Sequence, residues 1–229
     1  MTQLAERLAA VDVKIAEKLA SLGRSPSEVT RIVVTKNHPV TLARELYDLG
    51  CRDFGENRDQ EAFPKAEALS ELIPADSGVQ WHFIGQLQSN KVKNVVQYAS
   101  SIHSIDRQSL LDTLTKQLAT AARKLDVFIQ VNLTHDSGRG GVLPADLESF
   151  AEAVSRADNL NLKGLMAVAG LGVDPAVDFE RVAGYSAKLQ QSFPAAKSLS
   201  IGMSEDFETA LEFGATHLRI GTAITGKRA

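Results

Sequence analysis

Lys36 closes a short run of β-branched residues, Arg31-Ile-Val-Val-Thr-Lys-Asn37, in which Ile32 to Thr35 read as a buried strand. A continuous apolar run belongs to a parallel sheet covered on both faces. In parallel α/β folds the carboxyl ends of the strands form the functional face. A lysine amine held at such a mouth is a nucleophile toward carbonyl carbon, so Lys36 is read as the anchor of an aldehyde, held as a Schiff base. Two later stretches supply a second kind of chemistry. Gly202-Met-Ser204 and Arg219-Ile-Gly-Thr222 each follow or close a proposed strand. Glycine permits close backbone approach, N–H groups at a helix start point at an anion, and Ser204 and Thr222 add hydroxyl donors. The loops after strands seven and eight of an α/β barrel often hold a phosphate. Ser204 also suits the N-cap of a helix over 205–213. An amine opposite a phosphate site leaves two ligands open, pyridoxal phosphate or a phosphorylated aldehyde substrate.

These groups lie far apart in the chain, so only a particular fold brings them together. Leu4, Leu8, Val11, Ile15, Leu19 and Leu22 recur at helical spacing and end at Gly23, which predicts an amphipathic helix before the first strand. Strands are then predicted at 32–35, 52–55, 79–84, 101–105, 127–131, within 160–168, at 198–201 and at 216–220. Helices are predicted between them at 41–49, 58–70, 91–98, 107–124, 145–156, 179–193 and 205–213, with Asp106 capping the helix that starts at Arg107. Eight strands alternating with helices predict a single (β/α)8 TIM barrel spanning residues 1–229, with an extra N-terminal helix. An open doubly wound sheet is the alternative, but no Gly-x-Gly-x-x-Gly follows the first strand. On a barrel Lys36, Asn57, Gly85, Asp106, Asn132, Ser204 and 219–222 converge on one rim.

Composition narrows the class. A chain of 229 residues with 44% hydrophobic and 23% charged residues can bury a full core. Net charge −3 and a pI near 6.0 argue against a general nucleic-acid or membrane-surface binder. No apolar run is long enough to span a bilayer. Cys51 is the one cysteine and is expected to be a buried, inert thiol. Without a partner for it, and without a signal-peptide pattern, a reducing cytoplasm is the expected location. The five histidines, at positions 38, 82, 103, 135 and 217, show no metal-ligand spacing, so no metal site is expected. The absence of coiled-coil heptads makes a monomer the default. Lys91 and Lys93 are read as a solvated helix face, with a second, transient phosphate site as the alternative.

Seven ordered segments carry a resemblance. They are Val34-Thr-Lys36, Phe54-Gly-Glu-Asn57 with Gln60-Glu61, His82-Phe-Ile-Gly85 with Leu87-Gln-Ser-Asn-Lys91, Ile129-Gln-Val-Asn132, Gly164-Leu-Met166, Ile201-Gly-Met-Ser204 and Leu218-Arg-Ile-Gly221. Along essentially its whole length the chain resembles the pyridoxal-phosphate homeostasis proteins, the YggS/PROSC family. The resemblance implies a barrel like the N-terminal domain of alanine racemase, with pyridoxal phosphate on Lys36. It implies Arg219 facing the pyridine nitrogen, Ser204, Gly221 and Thr222 on the phosphate, Asn57 near the ring and Met203 lining the pocket. The chain departs from the family pattern at Arg58, Gln86, Thr225 and, in the turn 134–141, Arg139. None of these touches Lys36 or the proposed phosphate groups.

If Arg219 faces the ring nitrogen, it donates a hydrogen bond but supplies no acid, and the cofactor is a weaker electron sink. Alanine racemases take a second base, a tyrosine, from a further β-domain, which is expected to be absent from a chain ending at Ala229. Tyr47, Tyr98 and Tyr185 fall within predicted helices and are expected to be packing or surface residues. The expectation is therefore a protein that binds, buffers and delivers pyridoxal phosphate, with apo-enzymes as recipients and no catalytic residues of its own. The runner-up is a small racemase or lyase with His82, His103 or Lys91 as base, although buried, satisfied histidines are the plainer expectation. A Schiff-base aldolase is a third reading, which leaves Arg219 unexplained.

Overall fold

In the computed structural model, which describes residues 2–134 and 139–226, the β-branched and aromatic runs form the wall of a barrel. Its strands are β1 (Thr30–Val34), β2 (Asp53–Glu56), β3 (Gln80–Phe83), β4 (Ser101–Ile105), β5 (Leu125–Gln130), β6 (Leu160–Met166), β7 (Ser198–Ser200) and β8 (His217–Ile220). Each pairs in parallel with its sequence neighbour, and β8 closes on β1, so the sheet has no free edge. The helices are α1 (Gln3–Ser21), α2 (Val40–Asp48), α3 (Asp59–Leu72), α4 (Val92–Tyr98), α5 (Gln108–Ala121), α6 (Leu147–Ser155), α7 (Pro175–Ser192), α8 (Phe207–Glu212) and α9 (Thr222–Thr225). The predicted (β/α)8 barrel with an additional first helix is the fold observed.

Helix α1 lies beside the barrel, against α8 and α9. Its stripe of Leu4, Leu8, Val11, Ile15 and Leu19 is buried there, and Arg7 Nε donates to the Ile224 carbonyl at 2.7 Å. Thr2 caps the helix, and Gly23 follows its end with φ of 67°.

Two cap assignments are corrected. Asp106 does not cap α5. The helix starts one residue later, and the Asp106 carboxylate is taken by Arg107, whose Nη1 lies 2.6 Å from Oδ1. Ser204 does not cap α8, because residues 204–206 form a turn that delays the helix to Phe207. In that turn Asp206 Oδ1 accepts the Met203 amide, leaving the Ser204 hydroxyl to face the end of β8.

The largest apolar cluster fills the space between wall and helices and includes Val33, Phe54, Ile102, Val127, Leu165, Leu199 and Leu218. Cys51 is buried in it. Residues of the opposite parity point into the barrel. Ser200 on β7 bonds to His103 on β4, strands that are not neighbours in the wall, so this contact crosses the interior. Aliphatic layers usually fill such an interior. Here His82, Ser101, His103, Ser200 and Arg219 occupy much of it.

Candidate functional site

Strand register puts the candidate residues on one rim. Val33 pairs with Phe54 and with Ile220, and Val34 pairs with Gly55. Lys36, Asn57 and Thr222 each lie two residues beyond one of these partners, so all three emerge at the carboxyl end of the barrel. Past β7, the Arg219 amide donates to the Gly202 carbonyl at 2.9 Å, which carries Ser204 up beside Gly221.

Lys36 is half-buried, and its backbone is clamped on both sides. Before it, the Thr35 carbonyl accepts from Lys65 Nζ at 2.8 Å and the Thr35 hydroxyl donates to Glu56 Oε1 at 2.7 Å. After it, the Asn37 amide donates to Glu61 Oε2 at 2.8 Å, with Asn37 in the left-handed region at φ of 60°. Lys65 and Glu56 form a buried ion pair at 2.5 Å beneath the loop. Burial pushes the Glu56 carboxyl up, against the opposing pull of Lys65 and Thr35. Among the described residues the Lys36 side chain has no hydrogen-bonded partner, so its amine is free to meet a ligand.

On the opposite side of the mouth the groups suit an anion. Ser204 Oγ accepts from the Gly221 and Ala223 amides, each at 3.2 Å, so two backbone donors and one hydroxyl gather at a point. Thr222 is exposed next to them. A Cβ on Gly221 would meet Val34 Cβ at 3.5 Å, ordinary contact, so the protein itself does not require glycine there. Met203 is 39% exposed at the same rim.

Arg219 lies deeper and is buried. Its Nη1 donates to the Ser200 carbonyl and to Ser200 Oγ (2.7 Å), and its Nη2 to the Ala167 carbonyl (2.9 Å). A guanidinium has five N–H donors, so Nε and one Nη2 hydrogen remain among the described residues. Burial lowers Arg219 to about 10, with Asp206 opposing, so it stays charged at neutral pH.

Asn57 is half-buried just beyond β2. Its backbone crosses so close to Gly85 that a Cβ there would fall 2.1 Å from the Asn57 carbonyl oxygen. Arg58, Gln86 and Lys91 border a cleft of about 330 Å³ next to Asn57, while Lys93 is exposed. Of the turn 134–141, residues 135–138, including His135, lie outside the described residues, and the Arg139 carbonyl accepts from Asn132 Nδ2 at 3.0 Å. Thr225 corrects the expectation that no departing residue touches the phosphate groups: it is buried, with its hydroxyl on the Gly221 carbonyl at 3.2 Å.

Sequence reasoning brought the rim residues together but missed what supports them. Lys65, Glu56 and Glu61 hold the Lys36 loop, and Ser200 holds Arg219. The available signal was Glu56, a charge at the end of a buried strand, which requires a partner. His82 and His103 are buried and hydrogen-bonded, as expected. Tyr47, Tyr98 and Tyr185 lie in α2, α4 and α7. The described residues contain no cluster of three or more His, Cys, Asp or Glu able to hold a metal, and no helix long and apolar enough to cross a membrane.

The family described as alanine racemase, N-terminal domain, matches residues 14–229. A pyridoxal phosphate homeostasis protein of Pseudomonas aeruginosa is 38% identical over 228 residues, covering all of this chain and 97% of its own length. The protein of the same name from Escherichia coli K12 is 38% identical over 231 residues, covering all of this chain and 98% of its own. Among solved structures, PipY of Synechococcus elongatus with PLP bound superposes with a TM-score of 0.84 at 36% identity, over 98% of this chain and 100% of that one.

Proposed function

The chain belongs to the pyridoxal phosphate homeostasis protein family, and on that premise we propose that it binds pyridoxal 5′-phosphate through Lys36 and buffers and delivers it, with little or no turnover. One observation carries the reading: a free, half-buried amine shares a rim with converging anion donors and a buried guanidinium that has N–H groups to spare. The residues fit the cofactor's three functional parts. Lys36 suits the aldehyde. Ser204, Gly221 and Thr222 suit the phosphate, with Met203 beside them. Arg219 suits the ring nitrogen, with Asn57 near the ring. When bound, the cofactor supplies an aldehyde for attachment and a ring that withdraws electrons most strongly when its nitrogen is protonated.

Arg219 donates without giving up its proton, which disfavours that protonated ring. The clamp on Thr35 and Asn37 orients Lys36 into the mouth. The enzyme reading needs a base; of its three candidates the two histidines are already engaged, and Lys91 borders the cleft beside Asn57. His82 is tied to Asp53, Ser101 and His103, and His103 to Ser101, His82 and Ser200. The working form is a cytoplasmic monomer whose recipients are pyridoxal-phosphate-dependent apo-enzymes.

The test is a titration of the cofactor-free protein with pyridoxal phosphate, followed by absorbance, beside a Lys36→Ala variant and a screen for amino-acid racemisation and elimination. A saturable visible band that the variant lacks, without turnover, agrees with the proposal. Robust turnover abolished by Lys36→Ala would establish the racemase or lyase reading instead.

A further inference from the structure

A continuous hydrogen-bonded chain crosses the barrel interior. It begins at Asp53, the first residue of β2, on the face opposite the cofactor rim, where the carboxylate is 30% exposed. Asp53 Oδ1 lies 2.9 Å from His82 Nε2. His82 Nδ1 lies 2.7 Å from Ser101 Oγ and 3.1 Å from His103 Nε2, and Ser101 Oγ lies 3.0 Å from the same His103 nitrogen. His103 Nδ1 lies 2.8 Å from Ser200 Oγ, which accepts from Arg219 Nη1 at 2.7 Å.

The two ends fix the direction of every bond between them. Arginine only donates, and an ionised carboxylate only accepts. Arg219 donates to Ser200, and the Ser200 hydrogen is used only when it is directed at His103 Nδ1, the hydroxyl's other partner among the described residues. The proton of neutral His103 is then on Nε2 and is given to Ser101, whose own hydrogen goes to His82 Nδ1. His82 keeps its proton on Nε2, for Asp53. With both imidazoles neutral, every donor is used. The opposite tautomer of His103 would turn two lone pairs, His103 Nε2 and His82 Nδ1, toward each other, with one Ser101 hydrogen to share.

Burial keeps His103 well below the usual imidazole range, and His82, His217 and Arg219 push the same way. The charged and titratable groups facing the chain are Asp53 from β2, His217 and Arg219 from β8, Lys163 from β6 and Asp206 beyond β7. The Phe128 ring stacks on His103 with centroids 4.3 Å apart and fixes its plane. A barrel that needed only filling would use aliphatic side chains here, because polar groups are costly to bury unless fully paired.

We propose that His103 is a positioning residue for cofactor binding: the Asp53–His82–Ser101–His103 chain sets the direction of the Ser200 hydroxyl and so holds the Arg219 guanidinium where its remaining N–H groups meet the cofactor ring. This rests on the assignment of Arg219 to that ring.

The experiment uses the full chain. Nitrogen-15 NMR of the cofactor-free protein should show His103 as the neutral Nε2–H tautomer. His103→Phe, which keeps the stack on Phe128, and Ser200→Ala, a smaller change in case the first variant folds poorly, should still take pyridoxal phosphate on Lys36. They should bind it about tenfold more weakly, the effect of one lost hydrogen bond to a charged group, with a shifted absorbance band. Arg219→Lys is run beside them. If it alters affinity and band while Ser200→Ala and His103→Phe leave both unchanged, the positioning chain is refuted and the Arg219 assignment stands. If Arg219→Lys also changes nothing, the assignment fails and the chain with it. A His103 proton on Nδ1 at neutral pH would overturn the bond directions.

Discussion

Lys65→Met should be among the most damaging single changes near the site, although Lys65 lies beneath the Lys36 loop rather than in the mouth. Lys65 and Glu56 are 6% and 1% exposed, so neither charge has water to fall back on. Removing one partner of such a pair typically costs about 3–5 kcal/mol. An independent limit comes from protonation. Glu56 can escape by taking a proton, and from an unfolded value of about 4.3 that costs about 4 kcal/mol at about pH 7 and about 1 kcal/mol at about pH 5. The folded-state value in the variant is raised above the unfolded one. Stability is therefore retained below about pH 4.3 and lost as pH rises through the raised value. Guanidinium unfolding at the two pH values should give a loss of about 4 kcal/mol at the higher one, shrinking severalfold at the lower one. A thermal melt near neutrality should fall by about 6–20 °C for a chain of this length. Glu56→Gln/Lys65→Met should recover much of the loss, because no ion is left unpaired. A single-variant loss under about 1 kcal/mol, independent of pH, would refute the account of the pair.

Four further outcomes are expected. Burial holds His217 down to about 4, and His103 shifts in the same direction, so the unfolded chain binds more protons below about pH 6.5. Stability should be flat above that pH and fall by up to about 3 kcal/mol from His217 alone as pH drops toward about 4, measured by urea unfolding. Gly164→Ala should cost more than about 3 kcal/mol or prevent accumulation, because φ is 150° and the new Cβ would fall 1.9 Å from the Ser198 carbonyl oxygen. Gly184→Ala, in α7 with open space around it, should instead stabilise by about 0.5–1 kcal/mol in the same melts. Ser204→Ala should weaken pyridoxal phosphate about tenfold by titration, and its circular dichroism should retain α8, which the hydroxyl does not cap.

The barrel was legible because short apolar stretches, β-branched in β1, β4, β5 and β8, mark the strands and the gaps between them match helices. Parallel register then forces every strand's far end onto one rim, which is why Lys36, Asn57, Ser204 and 219–222 could be grouped from the sequence. The capping roles given to Asp106 and Ser204 were misjudged because a cap belongs to one residue, and helix starts shift by one or two. At Ser204 a three-residue turn moved the start of α8 and left the hydroxyl facing β8. Lys65 reads as a surface residue on an amphipathic helix, and nothing local shows that it reaches the end of β2. The interior chain left a trace in alternation: Ser101 and His103 flank Ile102, Ser198 and Ser200 flank Leu199, and His217 and Arg219 flank Leu218. That period of two identifies a polar inner face, but the link from β4 to β7 needs the closed barrel.

The most direct test of the central claim is borohydride reduction of the protein with pyridoxal phosphate, followed by mass mapping of the peptides. A single pyridoxyl label on Lys36, absent from Lys36→Ala, is the predicted result. A label on Lys65, Lys91 or another lysine with Lys36 unmodified, or no label at saturating cofactor, would contradict it.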